Sequence, residues 1–79
     1  MRRLFKRTRV YNSRSFDLNK VKDADEFRTI LNTLVTFDFA GVKFKQLYCP
    51  ESNRANFHVE LPSNKTLETW LIRVGFEEA

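Results

Sequence analysis

The chain has 79 residues, a formal net charge of +4, one cysteine, one histidine and two glycines. This length fits one domain spanning residues 1–79, and no apolar run is long enough to cross a membrane. One cysteine excludes an internal disulfide, which is usual in a reducing compartment. We therefore expect a single small cytoplasmic domain without a membrane segment.

The positive charge is concentrated at the start of the chain. Six of the 14 basic side chains lie in the first fourteen residues, where there is no acid. The remaining residues contain the other eight basic side chains and all 10 acidic side chains. These six are Arg2, Arg3, Lys6, Arg7, Arg9 and Arg14. Such a segment attracts polyanions or acidic protein surfaces. Alternatively, it only protects an edge strand from aggregation.

The N-terminal part predicts a hairpin. Residues 5–11 alternate as a strand does, and residues 14–18 alternate again, with a tight turn expected at Asn12 and Ser13. The side chains that share one face of the first strand are Phe5, Arg7, Arg9 and Tyr11, and we expect this to be the wet face of the sheet.

The next segment predicts an amphipathic helix over residues 23–34. Its apolar positions recur at i, i+3, i+4 and i+7, and they are Phe27, Ile30, Leu31 and Leu34. Asp23 stands where an N-cap residue is expected, and Glu26 three positions later fits a capping box. The sequence leaves the end of the helix open between Leu34 and Phe37.

Two further alternating segments, residues 42–48 and 56–61, predict an antiparallel hairpin with one wet face. That face is expected to carry Lys43 and Lys45 opposite His58 and Glu60. Pro62 is expected to end the second strand of this hairpin.

The last predicted element is a second helix, capped by Ser63 or Asn64. Its apolar side chains are Leu67, Trp70, Leu71 and Val74. Gly75 fits the residue that follows a helix C-cap, with Phe76 as its apolar contact. Residues 77–79 are expected to be frayed.

Taken together, these elements predict an α+β fold in the order ββαββα. Each helix has one apolar face and each strand offers one. The simplest arrangement is a four-stranded antiparallel sheet with both helices on one face. The other sheet face is then open to a partner.

The residue types argue against catalysis. One histidine and one cysteine build neither a recognisable catalytic site nor a zinc site, and two glycines leave no phosphate-binding loop. We therefore expect no enzyme activity, no cofactor and no bound metal.

Two functions are open. The first is a non-catalytic protein-interaction module, of the kind encoded by viruses or phages to modulate host enzymes. Its basic N-terminal strand would dock on an acidic partner surface, and the open edge of residues 5–11 would allow strand addition. A homodimer is a further hypothesis. The alternative is a single-stranded nucleic-acid-binding module that uses a basic and aromatic sheet face. Both readings use the same candidate residues: Arg2, Arg3, Phe5, Arg7, Arg9, Tyr11, Lys43 and Lys45.

Overall fold

The computed structural model describes residues 8–79, apart from the side chain of Phe39, and residues 1–7 lie outside it. The fold is α+β, with two helices and an antiparallel sheet, as the sequence predicted. The elements are β1 (Thr8–Asn12), β2 (Phe16–Asp17), α1 (Val21–Thr36), a 3-10 turn (Asp38–Ala40), β3 (Lys43–Cys49), β4 (Arg54–Pro62), α2 (Lys65–Arg73) and β5 (Glu77–Glu78).

Strand β4 is the centre of the sheet. It pairs with β3 on one side and with both β1 and β2 on the other, and β5 adds to the far side of β1. The alternating side chains of β4 explain this position, because every second one is apolar and buried. These buried side chains are Ala55, Phe57, Val59 and Leu61.

The predicted turn at Asn12 and Ser13 is wrong. β1 and β2 pair with the same side of β4, and the chain runs on between them without reversing. Asn12 lies opposite His58 and Phe16 opposite Ala55, so three residues of this strand span two residues of β4. This is a β-bulge. Ser13 holds it, because its N–H donates to the Phe57 carbonyl at 3.0 Å and its Oγ accepts from the Phe57 N–H at 2.8 Å.

Helix α1 begins earlier than the sequence predicted. Lys20 is the N-cap residue and makes no side-chain capping bond, so the predicted N-cap role of Asp23 is wrong. Asp23 lies one turn further in, and its Oδ2 accepts a hydrogen bond of 2.8 Å from the Asp17 N–H. The helix ends at Thr36, within the range that the sequence left open.

Helix α2 has the predicted ends. The Asn64 side chain accepts a hydrogen bond from the Leu67 N–H at 3.1 Å. At the other end Gly75 has φ +104°, and the Phe76 N–H donates to the Leu71 carbonyl at 2.9 Å. This is the Schellman closure that a glycine after a helix favours.

Both helices pack on the same face of the sheet. Buried side chains from α1, α2 and β4 form a single cluster. Phe57 is its centre, because it is 0% exposed and stacks on Phe27 of α1 at a centroid distance of 4.4 Å. The Phe57 ring also contacts Phe16 edge-on and stacks with Phe76. The opposite face of the sheet has no helix over it in the described part.

The predicted fraying of residues 77–79 is wrong. Glu77 and Glu78 form β5 opposite Asn12 and Tyr11, and the Ala79 N–H donates to the Val10 carbonyl at 2.8 Å. This short strand covers the outer edge of β1 only at residues 10–12. None of the helices in residues 8–79 is long and apolar enough to cross a membrane.

Candidate interaction surfaces

The candidate residues of β1 do not lie on the open sheet face. Arg9 pairs with Leu61 and Tyr11 with Val59, so both point to the side that the helices cover. Tyr11 is only 2% exposed. The predicted placement of Arg9 and Tyr11 on the wet face is therefore wrong. Alternation shows which residues share a face, and the pairing register decides which face is buried. The candidates Arg2, Arg3, Phe5 and Arg7 lie outside the described residues.

Arg9 and Tyr11 instead tie β1 to α2 and β5. The Tyr11 hydroxyl donates to Glu68 Oε1 at 2.6 Å, and Arg9 Nη1 donates to Glu78 Oε2 at 2.7 Å. Arg9 Nε lies 3.6 Å from the same Glu68 oxygen. The bond to Glu68 and burial raise the pKa of Tyr11 to about 12. The same hydrogen bond lowers the pKa of Glu68.

Arg14 is also used inside the fold. It lies on the bulge, with its guanidinium 4.1 Å from the centre of the Phe16 ring. Its two terminal nitrogens contact Asp23 at 3.3 Å, and Nη2 also donates to Glu26 Oε1 at 2.8 Å. The hydrogen bond from Arg14, followed by that from the Asp17 N–H, lowers the pKa of Asp23. Arg14 thus fastens the bulge to the first turns of α1.

The excess positive charge of the chain does not lie in the described domain. Residues 8–79 contain ten basic and ten acidic side chains, so the described domain is formally neutral. Both N-terminal arginines within it, Arg9 and Arg14, are paired with acids. The whole net charge of +4 belongs to residues 1–7, through Arg2, Arg3, Lys6 and Arg7.

The open sheet face carries both signs of charge. Lys43 and Lys45 lie there, as predicted, opposite Glu60 and His58. His58 Nε2 is 3.3 Å from Glu60 Oε2, and on the same face Arg54 is 3.7 Å from Asp17. Among the described side chains, no Phe, Tyr or Trp of β1, β3 or β4 points to this face, because Phe44, Tyr48 and Tyr11 pair with buried positions.

Sequence reasoning missed the outer edge of β3. In residues 8–79, β3 pairs with β4 alone, while the edge of β1, which the sequence offered for strand addition, is partly covered by β5. Most side chains of β3 are exposed, including Leu47 at 46% and Tyr48 at 54%. The alternation over nine residues of β4 shows that one of its faces is buried, but it does not show which strand of the sheet is central, so the sequence carried no signal for this edge.

The only cysteine lies at the end of β3. Cys49 is exposed, and hydrogen bonds from the side chain and backbone of Ser52 in the following turn lower its pKa. The structure brings no histidine or further cysteine into this turn. Within the described residues there is also no cluster of three or more residues of the metal-binding types.

The fold and its surfaces define a two-layer α+β domain in which no strand within residues 8–79 pairs with the outer edge of β3. Comparison with protein-family models found no match, and comparisons with curated proteins and with solved structures found no significant similarity.

Proposed function

We propose that this protein is a small non-catalytic interaction module that docks on an acidic surface of a protein partner. The basic N-terminal segment, defined as residues 1–7 with Arg2, Arg3, Lys6 and Arg7, supplies the electrostatic attraction. Attraction of this kind mainly steers the encounter and selects the partner.

One observation carries the proposal: residues 8–79 balance their own charges, whereas the basic N-terminal segment has no acid of its own. Arg9 and Arg14 hold the fold together through Glu68, Glu78, Asp23 and Glu26. An excess of positive charge concentrated in one segment attracts acidic surfaces of a partner.

A protein partner fits this surface better than single-stranded nucleic acid. Nucleic-acid modules of this size stack bases on exposed aromatic rings and spread their basic side chains along the same face. Here Tyr11 is buried beneath α2, and the open face mixes Lys43 and Lys45 with Glu60 and Asp17. A stacking platform is missing from the described part of the open face.

The test is affinity capture after nuclease treatment, from a lysate of the cells in which the protein occurs. The charge-reversal variant combines Arg2→Glu, Arg3→Glu, Lys6→Glu and Arg7→Glu. Its matched control reverses four exposed charges that have no ion pair within residues 8–79: Lys20→Glu, Lys22→Glu, Lys65→Glu and Arg73→Glu.

We expect a discrete partner with an acidic surface to be retained by the natural chain and by the control, and lost by the variant. Equal retention by both variants contradicts the proposal. Anisotropy of labelled single-stranded oligonucleotides at about 50 and 200 mM salt tests the alternative. The alternative is supported if the oligonucleotide binds tightly, binding is lost at the higher salt, and no protein partner is captured after nuclease treatment. The ligand is then nucleic acid and not a protein.

A further inference from the structure

The outer edge of β3 presents backbone hydrogen-bonding groups that β4 does not use. Phe57 directs both its N–H and its carbonyl towards Ser13 on the β1 side. In an antiparallel pair, consecutive residues direct these groups alternately to one side and the other. Gln46 lies opposite Phe57, whose backbone groups are used on the β1 side, so the two residues form a pair without backbone hydrogen bonds between them. The N–H and carbonyl of Gln46 must point away from β4.

The same alternation applies along the whole of β3. Phe44 and Tyr48, two positions either side of Gln46, also direct their backbone groups outwards, while Lys45 and Leu47 bond to β4. The edge therefore offers three N–H groups and three carbonyls in a row. No hydrogen bond within residues 8–79 uses the backbone of Phe44, Gln46 or Tyr48 on this side.

The side chains along this edge have a defined chemistry. Lys43, Lys45 and Leu47 project from the open face, and neither lysine has an ion pair among the described residues. Residues of an added antiparallel strand that lie opposite these three would form non-hydrogen-bonded pairs with them. In such pairs the side chains on neighbouring strands come closest. The best-fitting strand therefore has acidic side chains opposite the two lysines and an apolar side chain opposite Leu47.

We propose that the β3 edge binds an extended acidic segment of a protein partner as an added antiparallel strand. The segment carries carboxylates at two alternate positions, opposite Lys43 and Lys45, and an apolar residue two positions before the first of them. This inference rests on the proposed function, since it names the part of an acidic partner that the sheet receives. Backbone bonds supply the affinity, and the alternate side chains supply the selectivity.

Charge favours this occupant over a second copy of the chain. β3 contains two lysines and no acid. Antiparallel self-pairing centred on Phe44 puts Lys43 opposite Lys45 of the other copy. Pairing centred on Gln46 still places Lys43 and Lys45 of both copies, four lysines in all, on one face of the paired strands. Like charges directly opposite each other destabilise a strand pair, whereas carboxylates opposite the lysines stabilise it.

The probe is a heptapeptide, acetylated and amidated, with leucine second, glutamate fourth and sixth, and threonine or valine between them. Its second, fourth and sixth residues then lie opposite Leu47, Lys45 and Lys43. Amide hydrogen exchange is followed by NMR on the full chain. We expect saturable binding that slows exchange at Phe44, Gln46 and Tyr48. The amides of Lys45 and Leu47 are internal controls, because β4 already protects them.

Gln46→Pro removes the central outward N–H without removing a bond to β4, and proline is tolerated on edge strands. We expect this variant to keep its fold and to bind the peptide at least about tenfold more weakly. Gln46→Ala keeps the N–H and is expected to bind normally. If Gln46→Pro fails to fold, a peptide with N-methyl groups at the first, third and fifth residues tests the same hydrogen bonds on the natural chain.

The charge arm uses Lys43→Glu with Lys45→Glu, which we expect to weaken binding of the glutamate peptide about tenfold. The same peptide with glutamine for glutamate should not distinguish this variant from the natural chain. Absence of protection at Phe44, Gln46 and Tyr48 overturns the inference. Protection of these amides without peptide, rising with protein concentration, also overturns it, because the occupant is then a second copy.

Variants of the basic N-terminal segment and of Gln46 test the proposed function and this inference separately. Reversal of Arg2, Arg3, Lys6 and Arg7 should abolish capture of the acidic partner while the amides of β3 remain protected by the peptide. Gln46→Pro should lose the peptide while salt-dependent attraction to the partner remains. Loss of one response without the other identifies which of the two proposals has failed.

Discussion

Tyr11 of β1 donates a 2.6 Å hydrogen bond to Glu68 of α2, and these residues are 57 positions apart in the chain. The bond joins the sheet to the second helix at a site where Tyr11 is buried. It also couples folding to pH, because each partner holds the other in one protonation state: a neutral phenol and an ionised carboxylate.

Tyr11→Phe should lower the free energy of unfolding by about 1.5–3 kcal/mol at neutral pH, the usual value of a hydrogen bond to a charged group. The lowered pKa of Glu68 means that this contribution is lost as the pH falls through the folded-state value. The pKa of Tyr11 is raised to about 12, so the contribution is also lost as the pH rises from about 10 towards that value. Urea unfolding across the pH range measures both limits.

Tyr48→Phe is the matched control for this prediction. Its hydroxyl donates to Asn53 at an exposed site, so its loss should change stability by less than about 0.5 kcal/mol. A pH-independent effect of Tyr11→Phe would show that only packing had changed.

Ser13→Ala should destabilise the bulge. The Ser13 hydroxyl is the acceptor for the N–H of Phe57, which lies in the buried centre of the sheet. A buried N–H without an acceptor costs about 1–3 kcal/mol. We expect that loss in the free energy of unfolding, together with faster amide exchange at Phe57. Ser13→Thr retains the hydroxyl and should behave as the natural chain; equal stability of both variants would contradict the role given to Ser13.

Removal of residues 77–79 should destabilise the domain by about 1–3 kcal/mol, because it removes β5 and the bond from the Ala79 N–H to Val10. Thermal or urea unfolding measures the loss. Replacing Glu77 and Glu78 by glutamine keeps the backbone bonds and removes only the ion pair with Arg9, so a much smaller effect is expected. A truncated chain as stable as the natural one would show that β5 contributes nothing.

Phe57→Ala should cost about 3–5 kcal/mol, the usual range for emptying a fully buried aromatic site. Leu47→Ala on the exposed edge should change stability by less than about 0.5 kcal/mol. Denaturant unfolding of the two variants under one condition makes the comparison. Similar losses would contradict the assignment of Phe57 to the core and Leu47 to the surface.

The features that the sequence predicted well are those that local patterns determine. The apolar spacing of Phe27, Ile30 and Leu34 marks the buried face of α1, and Asn64 with Gly75 marks the two ends of α2. The alternation of β4 marks which of its side chains are buried. Each of these signals lies within one element.

The features that the sequence did not predict depend on distant partners. Ser13 forms a bulge instead of a turn because its hydroxyl meets the Phe57 N–H, 44 positions away. Glu77 and Glu78 have no apolar pattern, and their strand exists because β1 offers an edge beside Arg9. The face of Arg9 and Tyr11 follows from their register with β4. Candidate residues chosen from β1 alternation alone were therefore placed on the wrong side.

The central position of β4 also fixes when the sheet can form. β1 precedes α1 and β3 in the chain, whereas its sheet partners within residues 8–79, β4 and β5, follow them. The β3–β4 hairpin closes locally, whereas β1 must wait for residues 54–62 and then bridge a long loop. During synthesis, β1 consequently has no sheet partner until β4 has been made.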